Sequence, residues 1–355
     1  MKAIVLAGGK GTRLRPITYN TPKQLIPIAN RPVLHYVLTR LQEVGMKEVG
    51  MIIAPETGDQ IKQAVARDDW DFEVTYITQE EPLGLAHAVQ AARDFLADES
   101  FIMCLGDNLI GESITGFVEQ FNKAKSDALV LLKEVADPRM LGVAEVDEQG
   151  RLKRLVEKPE VAPSNLALVG LYIFSPSIHE AISHIKPSGR GELEITDAIQ
   201  QLLDAGRRVD SCELKSWWLD TGKKDDLLEA NRVVLDDWLT TGYLRGSVDA
   251  ASKVSGRVDL ASDAVVEGSE IRGPAIIGSG TVIKNSFIGP YSSLGDNCRI
   301  TESSLEHCVV LDGVVIEGLE RLEDSVIGQN ASIRRSSRNR RAVRLMIGED
   351  SEVLF

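Results

Sequence analysis

From residue 254 to residue 333 an aliphatic side chain recurs every five or six positions: Val254, Leu260, Val266, Ile271, Ile277, Ile283, Ile288, Leu294, Ile300, Leu305, Leu311, Ile316, Leu322, Ile327 and Ile333. The steps run mostly six, six, five, so Val254, Ile271, Ile288, Leu305 and Leu322 stand 17 apart. An amphipathic helix would return an apolar residue every three or four positions, and a half-buried strand every two. A run of ordinary antiparallel strands gives no reason for a phase held over roughly 80 residues. Small or turn residues follow the aliphatics, as in Ile277-Gly278-Ser279-Gly280 and Leu294-Gly295-Asp296-Asn297. A hexapeptide rhythm of this kind marks a parallel β-helix, in which three short strands make one coil and each aliphatic stacks on its equivalent in the next.

The chain before this repeat has a different texture. Residues 3–7, 49–54, 72–77 and 101–105 read as buried strands, and 32–44, 58–66 and 85–96 as helices, with Asn30 as a candidate cap and Pro32 in the first turn. Strands alternating with helices mean βαβ units and a mostly parallel sheet covered on both faces. Residues 128–133, 142–146 and 152–156 follow more closely and predict added strands in a mixed sheet. At 355 residues the chain divides on texture into an α/β domain over 1–245 and a β-helix domain with a basic tail over 246–355.

Forty Lys and Arg against 53 Asp and Glu give a net charge of −13. That argues against nucleic acid as a general partner, because a phosphate backbone needs a basic face. Residues 334–355 are the exception, with six arginines against Glu349, Asp350 and Glu352. The tail reads as a solvated cap on the last coil, with an anion site as the alternative. No apolar run approaches the ~20 residues that cross a bilayer, and residues 3–7 are too short for a signal-peptide core. Cys104, Cys212, Cys298 and Cys308 form no CxxC pair and no zinc spacing. The expectation is a cytoplasmic, membrane-free protein with buried thiols.

The first strand ends in Gly8-Gly9-Lys10-Gly11-Thr12-Arg13-Leu14-Arg15-Pro16. A glycine-rich turn after a strand lets backbone N–H groups approach a phosphate. A Walker A loop does not fit, and in a dinucleotide fingerprint Leu14 would occupy the third glycine. A plain tight turn is the alternative, but Lys10, Arg13, Arg15 and Lys23 crowd four cations around the loop, as a triphosphate cradle would.

Leu6-Ala7-Gly8-Gly9-Lys10-Gly11-Thr12-Arg13-Leu14-Arg15-Pro16, followed by Pro22-Lys23-Gln24-Leu25-Ile26-Pro27, resembles the nucleotide-binding signature of sugar-phosphate nucleotidylyltransferases. Gly191-Glu192-Leu193-Glu194-Ile195-Thr196-Asp197 and Trp218-Leu219-Asp220-Thr221-Gly222 are similar to the glucose-1-phosphate thymidylyltransferase branch. The repeat, with Arg344-Leu345-Met346-Ile347-Gly348 near the end, resembles the long form of that branch and the left-handed β-helix of hexapeptide-repeat proteins. The implied fold is a Rossmann-like mixed-sheet nucleotidyltransferase domain followed by a left-handed parallel β-helix.

The resemblance implies attack by a glucose 1-phosphate oxygen on the α-phosphorus of dTTP, with release of pyrophosphate. Both substrates are anions, so the work is positioning and charge neutralisation. By the same resemblance Leu6, Gly8, Gly9, Gly11, Thr12 and Arg13 hold the nucleotide, Arg13 stabilises the leaving pyrophosphate, and Lys23 contacts the phosphates. Asp107 and Asp220 match metal-binding positions, and oxygen ligands suit Mg2+; a strand-end Asp is otherwise often a cap. Gln79 and Gly84 match the base-reading segment, Gly84 also being placed to start a helix. Glu157 would accept sugar hydroxyls and Lys158 would hold the sugar phosphate, while Gly142, Val169 and Gly170 wall the sugar pocket. Arg190 falls near phosphate, and Trp218 packs behind Asp220 as structure.

Two other classes compete with this reading. One is a bifunctional or UTP-dependent enzyme with acetyltransferase chemistry on the β-helix, for which His307 is the sole histidine after residue 184. The other is a non-catalytic homologue, which would be expected to lose a metal Asp or the loop Arg. The β-helix predicts a homo-oligomer, a trimer or a multiple of one.

Overall fold

The computed structural model describes residues 1–9 and 11–335. Lys10, most of the basic tail and the 344–348 motif lie outside the described residues. By internal contacts the chain forms two units. One takes in the first strand together with Val33–Asp220, and the other takes in Gly11–Pro32 with everything described from Thr221 onward.

The first unit is built on a nine-stranded mixed sheet. Lys2–Leu6 lies between Phe101–Leu105 and Glu48–Ile53, parallel to both, and Glu73–Thr78 continues the parallel side. On the other side Leu166–Phe174 pairs antiparallel with Phe101–Leu105 and with Ala128–Glu134. Gly142–Val146 and Leu152–Glu157 close that edge as an antiparallel pair. This is the βαβ texture with added strands that the sequence implies. The parallel strands read as unbroken apolar runs because both faces are covered: Ile4, Ile52, Phe101, Phe174 and Ile199 share one core and are all fully buried.

Two local expectations are corrected. Asn30 does not cap a helix. With Ala29 it forms a two-residue turn at φ 48° and 58° between Pro27–Ile28 and Arg31–Pro32, and the helix runs Val33–Glu43. The single helix expected over 85–96 is broken at Ala92, where ψ rises to 4°, into Leu85–Ala91 and Arg93–Leu96.

In the second unit the parallel β-helix is present, with its ladders in the expected register. Val254 pairs Ile271, Ile271 pairs Ile288, Ile288 pairs Leu305, and Leu305 pairs Leu322. Ile271, Ile288 and Leu305 are fully buried in one cluster. Emptying any one to Ala would cost about 2–5 kcal/mol. Ser252, Ser269, Ser286 and Ser303 form a second ladder at the same spacing, each hydroxyl accepting a backbone N–H from the next coil.

One repeat position is wrong by a residue. Val310, not Leu311, pairs with Leu294 and enters the core. The corner between Leu305 and Val310 is one residue shorter than that between Ile288 and Leu294, and His307 at φ 51° turns it. A one-residue slip moves a strand's side chains to the other face. Leu311 therefore leaves the helix core and packs with Leu228, Val309, Ile17 and Val326.

Leu228 belongs to the helix Lys224–Asp237, which ties the segment 11–32 to the coils. Its Asn231 is fully buried and satisfied on both sides of its amide. Oδ1 accepts from the Ala29 N–H at 2.8 Å and the Ser293 hydroxyl at 2.7 Å, and Nδ2 donates to the Tyr291 carbonyl at 2.9 Å.

Candidate active site

The residues singled out by sequence fall in both units.

In the second unit, Gly11 sits at φ 61° against Lys23: a Cβ there would lie 2.8 Å from the Lys23 Cβ. A glycine is therefore required both by the left-handed backbone and by the close approach. The Thr18 hydroxyl donates to the Gly11 carbonyl at 2.6 Å and closes the turn. Thr12 and Arg13 are exposed on the short helical turn Thr12–Leu14, while Lys23 is half-buried. Arg13 and Lys223 both face Asp226, at the start of the helix Lys224–Asp237. Burial raises the Asp226 carboxyl above its ordinary range, and the two cations oppose that rise. Arg15 stacks over the Tyr19 ring at 4.9 Å. Gln24, quoted in the sequence only as part of the motif, is buried with its Oε1 lacking a partner among the described residues.

In the first unit the turn after the first strand begins at Leu6 and Ala7, whose N–H is held by Ile52 O at 2.8 Å. Gly8 packs on the backbone of the Glu48–Ile53 strand end, where a Cβ would lie 3.3 Å from Ala54 N, and Gly9 is exposed.

Asp107 and Asp220 are brought together by strand pairing. Asn108–Ile110 pairs antiparallel with Trp218–Asp220, and Asp220 is opposite Asn108, the residue after Asp107. Asp107 is 5% exposed. The Asn108 amide donates to Asp107 Oδ1 at 3.3 Å and accepts the Trp218 indole N–H at 2.7 Å. Trp218 is thus linked to Asp107 through Asn108. Among the described residues no three His, Cys, Asp or Glu side chains gather as a self-sufficient metal cage.

Gly170 packs against this group. A Cβ there would lie 2.7 Å from Leu105 Cδ1 and 2.9 Å from Asn108 Cγ. Val169 beside it is fully buried. Glu157, at the end of its strand, accepts from the Thr196 hydroxyl at 3.2 Å and lies 3.6 Å from both Lys158 and Arg190. Burial raises the Glu157 carboxyl above its ordinary range, with Lys158 the strongest opposing influence. Gly142 leaves room here, since a Cβ would meet Thr196 Cγ2 at 2.8 Å and Glu157 Oε2 at 3.2 Å. Arg190 is already engaged, at 2.9 Å from buried Glu194 and 3.0 Å from Glu192.

Gly84 stands at φ 105° as the cap of Leu85–Ala91. Leu193 N–H donates to Leu83 O at 2.7 Å and Ala86 N–H to Leu193 O at 3.0 Å, so the Gly84 turn is stapled to the Gly191–Asp197 motif. A Cβ on Gly84 would stand 2.5 Å from Leu193 O. The Gln79 amide nitrogen contacts Gly84 O at 3.2 Å and His87 Nδ1 at 2.9 Å. The sequence reading gives His87 and Asn108 no role, and names Glu194 and Thr196 only within the Gly191–Asp197 motif. Their contacts are made on folding.

A mixed α/β sheet in the first unit and a parallel β-helix in the second set the class of fold. The chain belongs to the nucleotidyl transferase family, which it matches over residues 2–237. Enzymes of this family generally work with a divalent metal. Along nearly its full length the chain is similar to enzymes named glucose-1-phosphate thymidylyltransferase. The Streptomyces griseus enzyme is 46% identical over 99% of this chain and 98% of its own, and that of Streptomyces antibioticus is 46% identical over 99% of each. A Bacillus anthracis protein solved in complex with a sucrose superposes with a TM-score of 0.61 at 34% identity, over 66% of this chain and 94% of its own.

Proposed function

We propose that this protein transfers a thymidylyl group from dTTP to glucose 1-phosphate, giving dTDP-glucose and pyrophosphate. A phosphate oxygen of the sugar attacks the α-phosphorus, and the bond to the bridging oxygen of the β-phosphate breaks. The observation that carries the chemistry is the pairing of Asn108 with Asp220, which places Asp220 opposite the residue that follows Asp107. The choice of substrates rests on the full-length likeness to thymidylyltransferases.

Two carboxylates completed by phosphate oxygens and water are the donor set that Mg2+ takes, and Asp107 and Asp220 would hold it. When bound, Mg2+ neutralises phosphate charge and draws the reacting groups together. The protein's own residues do the rest. Leu6, Gly8, Gly9, Gly11 and Thr12 offer backbone approach to the nucleotide, Arg13 the charge for the leaving pyrophosphate, and Lys23 a contact to the phosphates. Gln79 and Gly84 meet the base. Glu157, paired with Gly142, accepts sugar hydroxyls, Val169 walls the sugar pocket, and Lys158 with Arg190 supplies positive charge for the sugar phosphate. The sugar phosphate is itself the nucleophile, so no His or Ser base is required.

An acetyltransferase on the β-helix is the competing reading, and His307 bears on it. Its Nδ1 bonds Asp324 at 2.6 Å, but its Nε2 is buried without a partner among the described residues. A base whose second nitrogen is shut away does not meet an incoming amine. A cytoplasmic setting is proposed from the four free cysteines; burial pushes the Cys104 thiol up to about 12. The β-helix is proposed to drive homo-oligomer formation, as a trimer or a multiple of one. Pyrophosphate release across dTTP and UTP, each with glucose 1-phosphate and N-acetylglucosamine 1-phosphate, tests the assignment. No release with dTTP and glucose 1-phosphate would overturn it.

A further inference from the structure

The hydrogen bonds of Gln79 fix which end of its amide is left for a ligand. Its nitrogen lies 3.2 Å from the Gly84 carbonyl oxygen. That oxygen is held in place, because it also accepts the Ala88 N–H at 3.2 Å and because Gly84 is wedged against Leu193. A flipped amide would set two acceptor oxygens against each other, so the nitrogen faces Gly84. The same nitrogen meets His87 Nδ1 at 2.9 Å. His87 Nδ1 is therefore an acceptor, and the ring proton sits on Nε2. Both amide hydrogens are then engaged, and Oε1 is the end that remains; no described residue donates to it.

We propose that His87 is a specificity-determining positioning residue, which locks the Gln79 amide so that its oxygen, and not its nitrogen, faces the nucleobase. This rests on the reading above that Gln79 meets the base. Thymine and uracil present an N3–H donor, which pairs with Oε1. Cytosine presents an N3 lone pair, which Oε1 repels and an amide nitrogen would welcome. The lock thus selects thymine or uracil over cytosine and is blind to the methyl group and to the ribose. A Gln alone does not discriminate, because a free amide turns over to suit either edge. His87 and the Gly84 carbonyl remove that freedom.

The test compares wild type, His87→Leu and His87→Asn with dTTP, dCTP and UTP at saturating glucose 1-phosphate. The first two nucleotides share a sugar and differ only in the base. His87→Leu removes the acceptor, and the dTTP/dCTP ratio of kcat/KM should fall roughly tenfold, the scale of one hydrogen bond. The change should lie mainly in KM, and the dTTP/UTP ratio should stay within about twofold. The Asn Oδ1 stands where the imidazole Nδ1 stood, so His87→Asn should restore the ratio. An unchanged dTTP/dCTP ratio in a folded His87→Leu protein overturns the proposal, as does failure of His87→Asn to restore it. A readout independent of turnover is the nitrogen-15 spectrum of the His87 ring in the wild-type protein. The proposal requires a proton on Nε2 and none on Nδ1; a protonated Nδ1 overturns it even if the protein turns out to use another substrate. Absence of dTTP turnover in the wild type, with the Nε2–H tautomer present, would instead sink the functional reading and leave the lock standing.

Discussion

The Trp218 indole N–H donates to Asn108 Oδ1 at 2.7 Å across 110 positions of sequence. Asn108 is 7% exposed and passes the constraint on by donating to Asp107. Trp218→Phe keeps an aromatic ring, smaller than the indole, and removes the donor, leaving a largely buried acceptor unpaired. The expected cost is about 1–3 kcal/mol of stability, the penalty for a buried polar group left unsatisfied. kcat should fall as well, because Asp107 is released. Thermal unfolding and steady-state kinetics together check this; a lower Tm with unchanged kcat would show that the bond holds the strands and not the carboxylate.

Asp107→Asn and Asp220→Asn should each cut turnover by orders of magnitude while leaving the fold intact. Each change removes one anionic oxygen ligand at nearly constant volume. Circular dichroism and Mg2+-dependent pyrophosphate release are the measurements. Normal Mg2+-dependent activity in either variant would end the metal assignment.

Glu157 gives a prediction with a sign. Burial raises its carboxyl above the ordinary value in the folded protein. The charged form is therefore disfavoured by folding, and the group's stabilising contribution is greatest at low pH. It is lost as pH rises from the unfolded value through the folded one. Glu157→Gln should raise Tm at neutral pH, and the gain should disappear in acid, where the wild-type group is protonated in both states. The same variant should lose kcat/KM for glucose 1-phosphate, because a carboxylate acceptor for sugar hydroxyls is gone. Melting curves from pH 4 to pH 8 test the sign; a lower Tm at neutral pH would mean that the Lys158 and Arg190 charges outweigh burial.

Contiguous chemistry was readable in the sequence, and chemistry assembled by folding was not. The 17-residue ladder from Val254 to Leu322 is visible because stacked coils demand it, and the register follows it. The slip to Val310 was hidden because Cys308, Val309, Val310 and Leu311 are all apolar and permit two phases; the positive φ of His307 decides between them. Asp107 and Asp220 stood out within short motifs, but their link through Asn108 depends on strands far apart in the chain. Gln79 and His87 are eight positions apart, one after a strand and the other in the first turn of a helix, a spacing with no regular geometry to betray it. Asn30 misled because Asn favours both helix caps and left-handed turns.

Nucleotide choice closes the set. dTTP should be preferred over UTP, but by a modest factor. The bases differ by one methyl group, which an apolar pocket distinguishes by about 1–3 kcal/mol, or roughly 10–200-fold. The Gln79 amide reads the N3–H that both bases share, so it adds nothing to this ratio. The sugars differ by a 2′-hydroxyl, which adds to the ratio only where the pocket is too tight to admit it. Large discrimination arises when the wrong substrate leaves a buried polar group unpaired, and UTP leaves none at the base. The ratio should therefore lie near the lower end of the range. Measuring kcat/KM for dTTP, dUTP and UTP separates the two effects, since dUTP lacks only the methyl and UTP carries the hydroxyl as well. A clear preference for UTP over dTTP would place the enzyme in the uridylyltransferase branch and overturn the choice of substrate, while leaving the roles of Asp107 and Asp220 intact.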